Sequence, residues 1–343
     1  MTHEGIPEEH AEAARALGER GFKVESVLGR GGVGVVFAAT RDGEDLAVKV
    51  AAPWRTLDPS RAAETTVDRV RVARVGDDQR SVRCVPPVEG PLCNRTVEGE
   101  LRRLREVDDE ALVSVRESFT LLGRAAYVMP RVPGAALEVK PGPSLRALVT
   151  ALYRLHEKGF AHGDLKPENV RVTAEGRVTL IDPMPVGSDL VTPAWTHLNF
   201  LVSSPLVDSA DPRDRRLVLR HRDFAALALM FTRAWAGDQP WGHAEVTRML
   251  DRAVSMDNKR TELQKAREKL QKLLPKVPFT LRAFVGLALD PGLWPEEGPI
   301  FAAYLQARPF ETRCDAMVSM NLPALLPDEP KASADVAAAS GDA

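Results

Sequence analysis

The sequence changes character once, near Gly134. Before it, apolar residues fall in short runs broken by turn residues; after it, they recur at helical spacing. Val24, Val27 and Leu28 lead into a glycine cluster, and Val33, Val35, Val36 and Phe37 follow. The turn R-D-G-E-D at 41–45 then precedes L-A-V-K-V at 46–50. Asp-Gly between apolar runs is a strong hairpin signal, so this stretch predicts a three-stranded antiparallel meander. Further strands fit 112–119 and 125–132. A helix fits 97–107, with Leu101, Leu104 and Val107 on one face. Beyond Gly134, helices fit 145–156, 223–236, 245–275 with a break near Ser255, and 279–290. Strands first and helices second predict an α+β chain of two lobes, a small β-rich one and a larger helical one.

The boundaries follow from the same pattern. Residues 1–20 form an N-terminal extension whose stretch 7–20 reads as a short helix stopping at Gly21. The small lobe spans 21–133 and the large lobe 134–322. Residues 51–95 show no clear period and read as an insert in the small lobe. Residues 203–222, with their R-D-R-R and R-H-R segments, read as a second insert. The helix at 256–276 is strongly charged, with Leu263, Leu270 and Leu274 as a thin stripe; it reads as a solvated surface helix, with a docking helix as the alternative. The tail 323–343 is expected to be disordered.

Lysine and arginine total 46 against 48 acidic residues, a net charge of −2. That balance gives no global electrostatic case for nucleic acid or for an acidic membrane. The longest strongly apolar run, Phe224 to Phe231, is far short of the about 20 residues of a membrane span. The first ten residues have neither the basic nor the apolar region of a secretory signal, so the expected location is cytoplasmic. Three cysteines, Cys84, Cys93 and Cys314, are too few for a disulfide framework or a four-cysteine zinc site. They read as free thiols in a reducing compartment, with a Cys84–Cys93 pair as the alternative.

Four features carry chemistry. Gly29-Arg30-Gly31-Gly32-Val33-Gly34 is G-x-G-x-x-G between two strands, whereas a dinucleotide-binding loop joins a strand to a helix. Glycines there would let backbone N–H groups approach phosphate oxygens; a plain glycine hairpin is the other reading. Lys49 stands alone among apolar neighbours in a strand. Buried there, it needs an anion, either a phosphate or a carboxylate from Glu100 or, second, Glu98. His162-Gly163-Asp164-Leu165-Lys166-Pro167-Glu168-Asn169 follows a helix and precedes a hairpin that ends at Asp182. Asn169 and Asp182 offer the oxygen ligands suited to Mg²⁺, which leaves Asp164 to orient a hydroxyl and accept its proton.

In this order the features resemble the signature set of the eukaryotic-type (bacterial Hanks-type) serine/threonine protein kinase family. The resemblance runs over residues 20–310. It includes Glu100-Leu101-Arg102-Arg103-Leu104 as the C-helix, Asp223 as the aspartate opening the buried F-helix, and L-A-L-D-P-G-L-W-P at 287–295. It implies a bilobal kinase-like fold, ATP and Mg²⁺ (or Mn²⁺) as cofactors, and a protein substrate. Gly29, Gly31 and Gly34 would cover the phosphates. Val36, Ala47, the gatekeeper Met129, and the backbone of Pro130 and Val132 would surround adenine. Lys49, held by Glu100, would bind the α- and β-phosphates, Asp164 would be the base, and Lys166 would meet the γ-phosphate. Asn169 and Asp182 would hold the metal ion.

The sequence also departs from the family. The usual H-R-D arginine is Gly163, so control through a phosphorylated activation loop is not expected; H-G-D also resembles aminoglycoside-type small-molecule phosphotransferases. The usual D-F-G is Asp182-Pro183-Met184, which lacks an aromatic packing residue and constrains Asp182. Arg171 stands where an apolar residue packs under adenine. No A-P-E follows Thr192-Pro193-Ala194-Trp195: the site reads His197-Leu198-Asn199, and the arginine that partners its glutamate is Trp294. Losing both ends of a buried ion pair is cheaper than losing one. The expected activity is phosphotransfer to Ser/Thr hydroxyls, with a nucleotide-binding pseudokinase module or a small-molecule phosphotransferase as alternatives. The insert 51–95 or the helix 256–276 is the expected place for a regulatory partner.

Overall fold

A strand buried on both faces needs two coverings, and the small lobe supplies them. The computed structural model describes residues 6–31, 33–52, 70–74, 80–83, 90–186, 190–198, 212–250, 255–290 and 315–327. The readings placed on Gly32, Cys84, Asn199, 203–211, Trp294, Cys314 and 328–343 lie outside them. Helix α1 (Glu8–Glu19) precedes the meander β1 (Lys23–Arg30), β2 (Gly34–Arg41) and β3 (Glu44–Ala51). Between β2 and β3, Asp42 and Gly43 both have positive φ, 55° and 79°, as a two-residue hairpin turn of the primed type requires. Strands β6 (Glu117–Leu121) and β7 (Arg124–Pro130) complete a five-stranded sheet of order β1-β2-β3-β7-β6.

Side chains alternate across this sheet. Register pairs Val36 with Lys49 and Ala38 with Ala47, and then Lys49 with Tyr127 and Ala47 with Met129. These residues share the face turned to helix α2 (Gly90–Leu104), where Cys93, Val97 and Leu104 are buried. The opposite face, with Val35, Phe37, Val48, Val50 and Val128, packs under Ala13, Ala14 and Leu17 of α1. The N-terminal helix is therefore the outer cover of the small lobe.

The insert has more order than its composition suggests. Strands β4 (Val70–Arg74) and β5 (Arg80–Arg83) form an antiparallel pair, and β4 also pairs with β11 (Leu190–Val191). V-R-V-A-R and R-S-V-R are too short, and carry too little apolar alternation, to stand out beside many prolines. Helix α2 starts at Gly90, well before the expected 97. The run expected as a strand at 112–119 is divided. Its first part leaves the sheet to bond the large lobe, through Val113 N–H to Leu180 O at 3.0 Å and Leu180 N–H to Ala111 O at 2.7 Å.

The large lobe contains β8 (Ala135–Ala136), α3 (Pro143–Glu157) and the hairpin β9 (Val170–Val172) with β10 (Val178–Leu180). Helix α4 (Pro212–Phe231) comes next, then α5 (His243–Leu250), α6 (Met256–Leu273), α7 (Phe279–Leu289) and the short α8 (Leu322–Leu325). Helix α4 corrects two expectations. It begins at Pro212 and not at 223, so 212–222 of the expected insert is helical, and Asp223 lies within the helix and not at its start. Val218, Leu219 and Arg222 are buried at helical spacing, a pattern hidden by the basic residues around them. On α6, Leu263, Ala266, Leu270 and Leu273 are buried in the core while Leu274 is half-buried, so the stripe faces inward. Residues 322–327, where a tail was expected to begin, are packed: Leu322 is buried, Thr280 donates to Leu325 O at 2.6 Å, and Arg146 donates to Pro327 O at 2.6 Å. Cys93 is buried on the inner side of α2. No helix among the described residues is long and apolar enough to cross a membrane. The five-stranded small lobe and helical large lobe are the bilobal α+β kinase-like architecture that the resemblance implies.

Asp109 ties the joint between the lobes. Its carboxylate accepts from Lys158 at 2.6 Å, Arg154 at 2.6 Å and the Ala111 amide at 2.9 Å. Burial by itself raises its pKa, but these hydrogen bonds outweigh burial and bring it down to about 2. A carboxylate with a depressed folded pKa contributes stability above its unfolded value, about 3.9, and loses it as the pH falls through the folded one. In urea unfolding, wild type should exceed Asp109→Asn most above about pH 4, with the gap closing towards pH 2; a pH-independent gap would contradict the assignment.

Candidate active site

The site starts from one cation in a strand. Lys49 is 3% exposed, so its ammonium requires countercharge. It finds Glu100 Oε2 at 2.5 Å and Asp182 Oδ1 at 2.9 Å. The Glu100 side chain is 1% exposed, whereas Glu98 points to solvent, which decides between the two expected partners. Burial by itself would push the Lys49 pKa down, but Asp182 and Glu100 outweigh it and hold it well above the ordinary value. Tyr127, opposite Lys49 in the register, is fully buried, and burial pushes its phenol well up. The cluster of Lys49, Glu100 and Asp182 carries one net negative charge, and the Asp182 side chain is 21% exposed towards solvent.

A second group of bonds shapes the loop after α3. Asp223 on α4 is fully buried, and its carboxylate accepts the N–H groups of His162 and Gly163, each at 2.7 Å. His156 Nε2 also lies 2.9 Å from it. Burial lowers the His162 pKa, so its imidazole is neutral. Nε2–H then donates to Ile181 O at 2.8 Å while Nδ1 accepts the Asp164 N–H at 3.3 Å. One ring thus holds the segments carrying Asp164 and Asp182 together.

Asp164 is oriented from three sides. Asn169 Nδ2 donates to its main-chain O at 2.8 Å and to Oδ2 at 3.1 Å, and Thr192 Oγ1 donates to Oδ1 at 2.8 Å. Lys166 Nζ lies 3.4 Å from Oδ2 and donates to Thr192 Oγ1 at 3.3 Å. With the Asn169 amide nitrogen spent on Asp164, its amide oxygen faces the other way. Thr192 is a residue of the candidate site to which the sequence assigned no role. Its Thr-Pro motif marked the segment, but only the fold brings it across to Asp164.

The other expected residues fall into place unevenly. Ala47 and Met129 are buried side by side, Val36 is half-buried opposite Lys49, and Pro130 and Val132 are half-buried where β7 ends. Gly29 and Gly31 are exposed, and nothing lies within 4 Å of a Cβ built on Gly29. Gly34 is required for a different reason: a Cβ there would lie 2.7 Å from Val50 O. Arg171, on β9, turns its guanidinium away to Gly134 O. Asp182 has φ 58°, a left-handed conformation uncommon outside glycine, asparagine and aspartate. His197 packs edge-on against Trp241 and His221, with centroids at 5.5 and 5.2 Å.

Gly163 also has a positive φ, 80°. A Cβ there would lie 2.5 Å from Leu219 Cδ2 and 3.0 Å from Met184 Cβ. The backbone is held in that conformation by Asp223, so the glycine is required locally.

No family profile matches the chain. Three curated relatives are serine/threonine-protein kinases. GRIK1 of Arabidopsis thaliana is 30% identical over 167 residues, 47% of this chain and 38% of the relative. Fused of Drosophila melanogaster is 25% identical over 291 residues, 83% of this chain and 32% of the relative. LATS2 of Mus musculus is 31% identical over 97 residues, 25% of this chain and 9% of the relative. The chain therefore spans 38% of the first relative and 32% of the second. Among solved structures, the PpkA-294 apo form aligns over 83% of this chain and 96% of its own, at 17% identity and a TM-score of 0.48.

Restoring the family's arginine tests whether the glycine is structural. Gly163→Arg should lower stability by about 1–3 kcal/mol, the cost of a forced left-handed backbone, read as a lower urea midpoint. An unchanged midpoint would show that the loop accepts a side chain there.

Proposed function

We propose that this chain, related in sequence and fold to the eukaryotic-type serine/threonine protein kinases, transfers the γ-phosphate of ATP to serine or threonine hydroxyls of a protein. The observation that carries the reading is Lys49 bound at once to Glu100 and Asp182, with Asp164 oriented by Asn169 and Thr192 close by. Phosphoryl transfer asks a protein for positioning and for charge complementarity more than for covalent chemistry, and these groups supply both.

The roles follow from the geometry. Lys49 is a permanently charged donor fixed at the base of the cleft, suited to α- and β-phosphate oxygens. Asp164, its carboxylate held by Thr192 and Asn169, orients the attacking hydroxyl and takes its proton. Lys166, beside Asp164, carries positive charge to the side where the γ-phosphate would stand. The open space over Gly29 leaves room for phosphates beneath the β1–β2 turn. The Ala47 and Met129 side chains offer an apolar surface for a base.

The donors also fit a divalent metal ion. The Asn169 amide oxygen and the Asp182 carboxylate are hard ligands, and the cluster around Lys49 is one positive charge short of neutral. Bound there, Mg²⁺ or Mn²⁺ would neutralise charge on the phosphate oxygens. Proline after Asp182 leaves these partners in reach, which favours a competent site over a purely binding one.

Purified protein, Mg²⁺ and labelled ATP test the reading. Label should appear on protein hydroxyls and fall at least about 100-fold in Asp164→Ala, as expected for a positioned base. Lys49→Ala should fall similarly. Undiminished transfer in Asp164→Ala would overturn the assignment. Nucleotide-dependent thermal stabilisation without transfer would identify a pseudokinase, and label on a metabolite a small-molecule phosphotransferase.

A further inference from the structure

The C-helix of the resemblance is α2, and its last turn carries an unexpected residue. Arg103 is 1% exposed, one of the largest fully buried side chains. Its guanidinium donates to the main-chain oxygen of Ala161, the residue before His162, and to Glu106 at the helix end. It also lies over the ring of Phe160, 4.2 Å from the centroid. Both Phe160 and Ala161 belong to the loop that leads to Asp164 in the other lobe. Burial lowers the Arg103 pKa, opposed first by Glu106 and then by Asp223, and a guanidinium remains charged through such a shift.

Arg103 stands three residues after Glu100, so the two share a helix face about 4.5 Å apart along the axis. One reaches Lys49 and the other reaches the catalytic loop. The same helix approaches the segment after Asp182 at Gly99, where a Cβ would lie 2.6 Å from Pro185 Cβ. That close fit limits sliding of the helix but supplies no bond across to Ala161.

We infer that Arg103 is a positioning residue, a polar strut that fixes α2, and with it Glu100 and Lys49, against the loop carrying Asp164. It touches no substrate. The inference rests on the kinase reading for its catalytic consequence, but its structural content stands alone. Breaking the strut frees the last turn of α2. A displacement of about 1 Å at the reacting groups costs on the order of 100-fold in rate.

The variants are Arg103→Met, which keeps the apolar stem, Arg103→Lys, which keeps charge and one donor, and Glu106→Gln, at the more exposed end. In Arg103→Met, kcat per folded molecule should fall at least about tenfold with KM for ATP nearly unchanged, and Arg103→Lys should recover part of the loss. Backbone hydrogen exchange should rise at 100–106 and 159–164 in Arg103→Met, and less in Glu106→Gln, while α7 amides keep their protection. A residue that merely fills space would leave Arg103→Met with wild-type kcat and unchanged exchange, and that result overturns the strut. Exchange is read whether or not the chain transfers phosphate. If wild type is inactive yet exchange rises locally, the strut stands and the kinase reading fails; if wild type is active and local exchange is unchanged, the reverse holds.

Discussion

An ammonium taken out of water must be matched by charge, and at Lys49 the match is made by two carboxylates from different parts of the chain. Glu100 comes from α2 and Asp182 from the segment after β10. Removing one member of such a buried set costs about 3–5 kcal/mol, because it leaves an uncompensated charge behind. The pairing therefore does more than stabilise. It makes the position of a small-lobe strand, a small-lobe helix and a large-lobe loop mutually dependent.

Asp223 plays the corresponding part within the large lobe. A fully buried carboxylate needs donors, and it takes two consecutive backbone N–H groups, those of His162 and Gly163, together with the His156 imidazole. Satisfying both N–H groups bends the loop through a left-handed residue, which is why glycine is required at 163, where a side chain would be crowded by Leu219. The bend then presents Asp164 to Thr192 and Asn169. A helix of the core thus dictates the shape of the loop that carries Asp164, and Arg103 links that loop back to α2.

Much of this was legible before any coordinates. An isolated lysine in an apolar strand, a glycine cluster between strands, and Asp164, Asn169 and Asp182 around a hairpin each have a physical reason to be where they are. Glu100 was expected ahead of Glu98 as the partner of Lys49, and its burial in the structure decides between them. Less legible were features whose signal is diluted or non-local. The start of α4 was masked by basic residues on its exposed side. The strands within 51–95 were too short to register among prolines. The packing of 322–327 depends on Arg146 and Thr280, which are far away in sequence.

The amino-acid sequence by itself determined the two-lobe order and the inventory of charged groups, since periodicity and residue chemistry are local properties. Which groups meet is a different matter. Thr192 reaching Asp164 and Arg103 reaching Ala161 join residues 28 and 58 positions apart. No periodicity encodes such meetings. They arise because burial leaves each of these polar groups needing a partner, and only the packed arrangement of both lobes decides which partner is within reach.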